Sequence, residues 1–329
     1  MDWEQLDWEA LDRLRAHFLS GRAAAGPYWH TVTDLECYHA TFGERIGWKW
    51  DAVLSELRRR GWAPAPGGDV LDWGCGSGVA GQRVLAAFGP GAFRRLRVHD
   101  HSGLAEEFAL HCARRAFPEL DAARAGPAEL AGEAPIGLLV VSHVLNELDD
   151  DARAALGRLA ARAAAVLWVE PGTHAVSRAL GRWRETLAAG GLHVVAPCTH
   201  RAPCGMLTPG NERHWCHFFA PCPAGIQAEA GWVRFAQRAG IDLRALPYSF
   251  LALDRRPAAL PEGASRVIGE PRLYKGFARV FGCDAGGVAE LTLQKRDAPE
   301  MFKLMKQGRT PPVCRWTLAD GRITGPTPA

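Results

Sequence analysis

The chain has 329 residues, 47% of them hydrophobic and 23% charged, enough apolar material for one large domain or two to three smaller ones. Its formal net charge of +3 is too small to name a partner, but the charge is uneven: from Arg255 onward 13 Lys and Arg stand against 7 Asp and Glu, which suits an anionic partner such as RNA or a plain solvated face. Residues 1–12, MDWEQLDWEALD, lack the apolar stretch of a signal peptide, and no run nears the roughly 18 apolar residues of a membrane span, so a cytoplasmic chain with no membrane partner and reduced cysteines is expected.

Residues 1–62 read as a helical region. WEALDRLRAHFLS and GWKWDAVLSELRRRG carry apolar residues at three- and four-residue spacing, with Trp48, Trp50, Val53, Leu54 and Leu57 forming one stripe. APAPGG at 63–68 is a linker. From 63 to 193 short apolar runs alternate with helical periods: DVLDWG, VAGQRVLAAFG, RLRVHD, GLAEEFALHCARRAF, IGLLVVSHVL, DDDARAALGRLAARA, AVLWVEPG and AVSRALGRWRETLAAGG. Strands and helices in that rhythm predict an α/β fold with a doubly wound parallel sheet. Residues 194–235 break the rhythm and form a cysteine-rich insertion. Residues 236–329 should supply the last core strand, YSFLALDR, and then a basic β segment. GFARVFGCDAGGVAELTLQKR reads there as a hairpin turning at CDAGG, and GRITGPTPA as a loose tail.

VLDWGCGSG places Asp72, Gly74, Gly76 and Gly78 between a strand and a helix. Glycines at alternate positions let the backbone turn sharply and approach a ligand closely. The pattern is neither the dinucleotide fingerprint nor a P-loop. An acidic residue before it suits a ligand carrying an amino group. The turn resembles the first motif of class I methyltransferases, which use S-adenosylmethionine. Asp100, at the end of the next strand, stands where that family's ribose-binding carboxylate belongs, able to accept from both hydroxyls.

No catalytic signature accompanies the turn. The fourth strand ends VVSHVLNEL, without the Asp or Asn and Pro-Pro of nucleic-acid amino methylases. Asn146 and Glu147 could contact substrate, but capping of the following helix is the favoured reading. The Pro-Cys pair at 197–198 invites a nucleophilic cysteine, yet it follows the fifth strand rather than the fourth.

The stretch 194–222, VVAPCTHRAPCGMLTPGNERHWCHFFAPC, holds four of the nine cysteines. Its spacings, C-x5-C, C-x11-C and C-x5-C, are not the C-x2-C knuckle of structural zinc. Widely spaced thiolates suit an iron–sulfur cluster, with zinc the alternative. EPGT, APCTHRAPC and WCHF, with a later cysteine in RVFGCDAGG after the basic PRLYKGFARV, resemble the methyltransferase-like family of mitochondrial small-ribosomal-subunit assembly factors and their bacterial relatives. The similarity runs from roughly residue 35 to 310.

That resemblance implies a Rossmann-like methyltransferase core binding S-adenosylmethionine, and a 4Fe-4S cluster on Cys198, Cys204, Cys216 and Cys283. Its implied partner is the small ribosomal subunit or its rRNA rather than DNA. The sequence departs from the family where HAVSRAL follows EPGT, and in the extra Cys222, which competes with Cys283 as fourth ligand. Cys37, Cys75, Cys112 and Cys314 read as ordinary small residues. Three roles fit: an RNA methyltransferase, an assembly factor that retains the cofactor site without catalysis, and a small-molecule methyltransferase with a structural zinc.

Overall fold

The computed structural model describes residues 3–19 and 28–329. The chain forms two compact units. The first takes the described residues up to Glu170 together with Ala220–Leu246, and the second takes Pro171–Phe219 and Pro247–Ala329.

The first unit begins with helices α1 (Trp8–Leu19), α2 (Val32–Tyr38) and α3 (Glu44–Arg59). Thr31 and Asp34 start α2 with a reciprocal capping box, each side chain accepting the other's backbone N–H. A π-type turn, His39–Gly43, runs from α2 into α3. On α3 the stripe Trp48, Trp50, Val53, Leu54 and Leu57 is buried as its spacing predicts. Five parallel strands follow: β1 (Gly68–Trp73), β2 (Phe93–His99), β3 (Asp121–Arg124), β4 (Ile136–Ser142) and β5 (Ala163–Pro171). Helices α4 (Val79–Phe88), α5 (Gly103–Ala116), α6 (Pro127–Leu130) and α7 (Asp150–Arg162) lie between them.

The strand order is β3-β2-β1-β4-β5. Succession runs outward from β1 to β3 and then restarts on the other side of β1 at β4. Ligands of such sheets bind at the carboxyl ends of the strands where this reversal occurs. Leu138–Val141 and Val166–Val169 are almost wholly buried, as strands covered on both faces require. This is the Rossmann-like sheet that the sequence predicts.

The second unit contains α8 (His174–Ala189), then β6 (His193–Ala196) and β7 (Phe218–Phe219). Helix α9 (Ala230–Ala239), in the first unit, packs against α1, where Arg15 donates to the Ala239 carbonyl at 3.0 Å. In the second unit β8 (Pro247–Asp254) pairs antiparallel with both β6 and β7.

The remainder of the second unit is β9 (Ser265–Tyr274), β10 (Phe277–Asp284), β11 (Gly287–Gln294), α10 (Pro299–Lys306), β12 (Val313–Ala319) and β13 (Arg322–Pro328). These strands close into a barrel in the order β9-β10-β11-β13-β12, around Val267, Ala278, Val280, Leu291, Leu293, Cys314 and Ile323. The expected hairpin of β10 and β11 is present. The expected loose tail is not: RITGPTP is β13, which pairs with both β11 and β12. Its glycine and prolines disguise a strand whose partners, not its own propensity, hold it.

Candidate functional site

Two constellations of chemically capable side chains stand out, one in each unit. In the first, the glycine turn leaves β1 at the reversal point. Gly74, Gly76 and Gly78 have φ of +72°, +50° and +75°, conformations that side chains resist. A Cβ on Gly74 would stand 2.6 Å from Val144 Cγ1, and one on Gly78 would stand 2.8 Å from Ala109 Cβ. At Gly76 nothing lies within 4 Å, so the turn's crest is open.

Asp72 is buried beneath the turn. Its Oδ2 accepts from the Gly81 backbone N–H at 3.0 Å and anchors the start of α4, while its Oδ1 is buried without a hydrogen-bond partner. Burial pushes its carboxyl up to about 7. Asp100 braces the other side. Its Oδ2 accepts from Gly76 N at 2.9 Å and its Oδ1 from Ser102 N at 3.0 Å. Oδ1 also has the His101 Nδ1 at 3.2 Å, so the second lone pair open to a ligand hydroxyl is that of Oδ2. The five predicted cofactor residues, Asp72, Gly74, Gly76, Gly78 and Asp100, thus share one edge of the sheet. The lone buried oxygen of Asp72 and the bare crest at Gly76 fit a close-lying ligand with an amino group.

The same edge carries Glu147, which the sequence offered as a substrate contact but favoured as a helix cap, and other residues that it did not single out. Glu147 does not cap α7, and neither does Asn146; Asp149 does, accepting from Ala152 N at 2.8 Å. Glu147 instead faces the Tyr28 hydroxyl at 3.4 Å. Burial first, and then the charge of Asp100, raise its carboxyl to about 7. Tyr28 and Tyr38 are pushed up by burial and by the same two carboxylates.

At the end of β4, His143 adopts φ +57°, uncommon for a side-chain-bearing residue and frequent at functional sites. Its Nε2 lies 3.0 Å from Lys49 Nζ and its Nδ1 3.2 Å from Ser142 Oγ, which also accepts from Trp50 Nε1 at 3.0 Å. Burial pushes Lys49 down to about 7. Lys49 and His143 are 94 positions apart, and only the fold brings them together.

Below them Glu170 is fully buried. Its Oε1 accepts from Val144 N, Leu145 N and Trp168 Nε1, and its Oε2 has no hydrogen-bond partner. Burial raises it to about 7, above the ordinary value near 4.3. A raised carboxyl contributes stability that is complete below its unfolded value and is lost as pH climbs through its folded value. Glu170→Gln should therefore be near-neutral at pH 4.5 and stabilising by roughly 1–3 kcal/mol at pH 8. Urea unfolding at the two pH values checks this; equal effects at both would show that Glu170 is not held neutral.

In the second unit, Cys198, Cys204, Cys216 and Cys283 come together. Burial pushes the Cys216 thiol well up, and Cys198, Cys283 and Cys204 push it further. Cys283 is raised by burial and then by Cys198 and Cys204, and Cys204 by burial and then by Cys198. Cys198 thus acts on the other three thiols, and Cys204 and Cys283 act on Cys216. Cys222 does not share in this: its charged neighbours are Arg45 and Asp242.

The loop carrying Cys198, Cys204 and Cys216 is fixed from α8. Arg178 donates to the carbonyls of Met206, Asn211 and His214, and Arg184 to those of His200 and Ala202. Gly205 lies against the turn after β10, where an added Cβ would stand 3.0 Å from Gly287 Cα. That close approach sets the loop beside Cys283, whose Sγ is 3.5 Å from His200 Nε2. Among the described residues no group of three or more His, Cys, Asp or Glu has the arrangement that holds a single metal ion.

A sequence profile described as mitochondrial small ribosomal subunit Rsm22 matches residues 52–310. The chain belongs to the Rsm22 family.

No curated protein sequence matches it. Among solved structures, it resembles magnesium protoporphyrin IX methyltransferase from Synechocystis PCC 6803 with bound SAH, at 13% identity, covering 74% of this chain and 100% of that one, with a TM-score of 0.40. It also resembles precorrin-6y C5,15-methyltransferase from Geobacter metallireducens GS-15, at 12% identity, covering 63% and 87%, with a TM-score of 0.37. The Rsm22 match spans both constellations: the glycine turn and Asp100 in the first unit, and the four grouped thiols in the second.

Proposed function

We propose that this Rsm22-family chain binds S-adenosylmethionine on the β1–β4 edge, carries a 4Fe-4S cluster on four cysteines, and acts in maturation of the small ribosomal subunit, at or on its rRNA. The observation that carries the cofactor reading is the glycine turn with Asp72 beneath it and Asp100 beside it, at the sheet's reversal point. Asp100 would hold the ribose hydroxyls, and the free oxygen of Asp72 would face the amino group. For the cluster, Cys198, Cys204, Cys216 and Cys283 form the soft donor set, with Cys222 outside it. Buried neutral thiols are costly to ionise alone, and a bound metal centre removes that cost. The cluster would tie the insertion loop to β10.

The compartment follows the ribosome served: mitochondrial in the family's description, cytoplasmic in the reading of reduced cysteines. No helix among the described residues is long and apolar enough to cross a membrane.

Bound adenosylmethionine would supply an electrophilic methyl group. The acceptor must then lose a proton. Lys49, near half-neutral at neutral pH and held by His143, is a base on this edge able to take it. Tritium transfer from labelled adenosylmethionine to purified small ribosomal subunits tests catalysis. Transfer that falls at least ~100-fold in Lys49→Met, with cofactor affinity unchanged, is the result expected of an enzyme using this base. Cofactor binding without any transfer would leave the assembly-factor role and remove Lys49 from catalysis.

A further inference from the structure

The C-terminal barrel has a topology with consequences of its own. Numbered from β9, its five strands close in the order 1-2-3-5-4, the third and fifth run parallel, and a helix, α10, lies between the third and fourth. That arrangement is an OB-fold. Such barrels bind oligonucleotides on the outer face of strands 2 and 3, between the loop joining strands 1 and 2 and the loop joining strands 4 and 5.

Here strands 2 and 3 are β10 and β11, and their outer face divides in two. Toward one end Cys283 faces His200, and Phe281 is covered by the ring of His214 at 4.7 Å, so the cysteine loop occupies that half. The other half is bare and aromatic. Tyr274 and Phe277 flank the two-residue turn Lys275–Gly276, with rings 4.6 Å apart and 7° from parallel, and Tyr274 is 45% exposed. Two register steps along, on the same face, Arg272 and Arg279 stand side by side, and both pair with Glu290. Lys295 closes the row, its backbone N–H donating to the Gly276 carbonyl at 2.9 Å. The second loop, at Asp320–Gly321, meets the same stretch of β11, where Thr292 N donates to Gly321 O at 3.0 Å. The ring pair is thus accompanied by Lys275 in its own turn, Arg272 and Arg279 on the same face, and Lys295 at the end of β11, with Glu290 shared by the two arginines.

We propose that this half-face binds single-stranded RNA, with unpaired bases stacking on Tyr274 and Phe277 and the phosphates tracking Arg272, Arg279, Lys275 and Lys295. The proposal deepens the ribosomal reading above and rests on it for the choice of RNA. A stacked ring pair offers π-faces to any base, and the surrounding cations suit a polyanion whose charges repeat along a strand. Double-stranded RNA hides its base faces and gains nothing from Tyr274.

The test uses the full chain, purified anaerobically, with a fluorescein-labelled oligouridine 12-mer followed by anisotropy. A 12-base-pair RNA duplex, poly-glutamate and purified small ribosomal subunits serve as further ligands. The parent should favour the oligouridine over duplex and poly-glutamate. The double variant Tyr274→Ala/Phe277→Ala should weaken it by ~10-fold or more, and Tyr274→Phe should keep it. The double variant should retain the parent's salt slope, whereas Lys275→Gln should flatten the slope by about 0.7. A double variant that melts like the parent and binds oligouridine equally well overturns the stacking site, as does a parent that prefers poly-glutamate or duplex. The subunit arm separates the two readings. Subunits bound with no dependence on Tyr274 and Phe277 sink this inference alone. Oligouridine bound through those rings, with no subunit binding, sinks the ribosomal reading and leaves the inference standing.

Discussion

Replacing Cys283 with Ser is expected to strip the brown colour from anaerobically purified protein and to drop its iron from about four per chain to less than ~1. Replacing Cys222 should change neither. The contrast follows from position. Cys283 is pushed up by burial and then by Cys198 and Cys204, it pushes up Cys216 in turn, and its β10 backbone is clamped in the barrel by pairing with Arg266 and Val288. Three thiols on one loop can wrap part of a four-iron body, and the fourth then comes from a distant strand. The charges that act on Cys222 are those of Arg45 and Asp242, in the first unit. Iron lost in Cys222→Ser and kept in Cys283→Ser would reverse the assignment. A colourless parent with one zinc per chain would remove the cluster altogether.

The second large effect concerns the glycine turn. Gly78→Ala should destabilise the protein by roughly 2–4 kcal/mol, combining the cost of a side chain in a left-handed conformation with overpacking against Ala109. Gly76→Ala has the same conformational cost but open space around its new methyl, so about 1–2 kcal/mol is expected. In cofactor binding the order reverses in meaning, because the Gly76 methyl would project from the bare crest where the ligand is proposed to lie. Urea unfolding and adenosylmethionine titration of the two variants check both halves. Equal destabilisation would show that α5 yields freely at Ala109.

Local signals carried much of this architecture. The apolar runs of β1, β4 and β5 are continuous because both faces are covered, and glycines spaced two apart after DVLDWG have few uses besides a tight ligand-facing turn. The position of Asp100 beside that turn was legible from its place at the next strand end. Other features depend on partners far along the chain. β3 is four residues, DAAR, without an apolar pattern, and exists by pairing with β2. Helices α9 and α10 went unread, the first within a stretch dominated by cysteines. β13 holds its place through β11 and β12 despite Gly325 and two prolines. In the candidate site, Asp149 displaced Asn146 and Glu147 as the cap because it immediately precedes the helix, which freed Glu147 to face Tyr28. The Lys49–His143 contact has no local trace, since one residue sits on an N-terminal helix and the other follows β4.

Isothermal titration of the full chain with S-adenosylmethionine tests the central claim most directly. The account predicts one site per chain, weakened at least ~10-fold in a folded Asp100→Ala variant, whose lost carboxylate removes two charge-assisted hydrogen bonds. A parent that takes up no adenosylmethionine, or an Asp100→Ala variant that binds it as tightly as the parent, would contradict it.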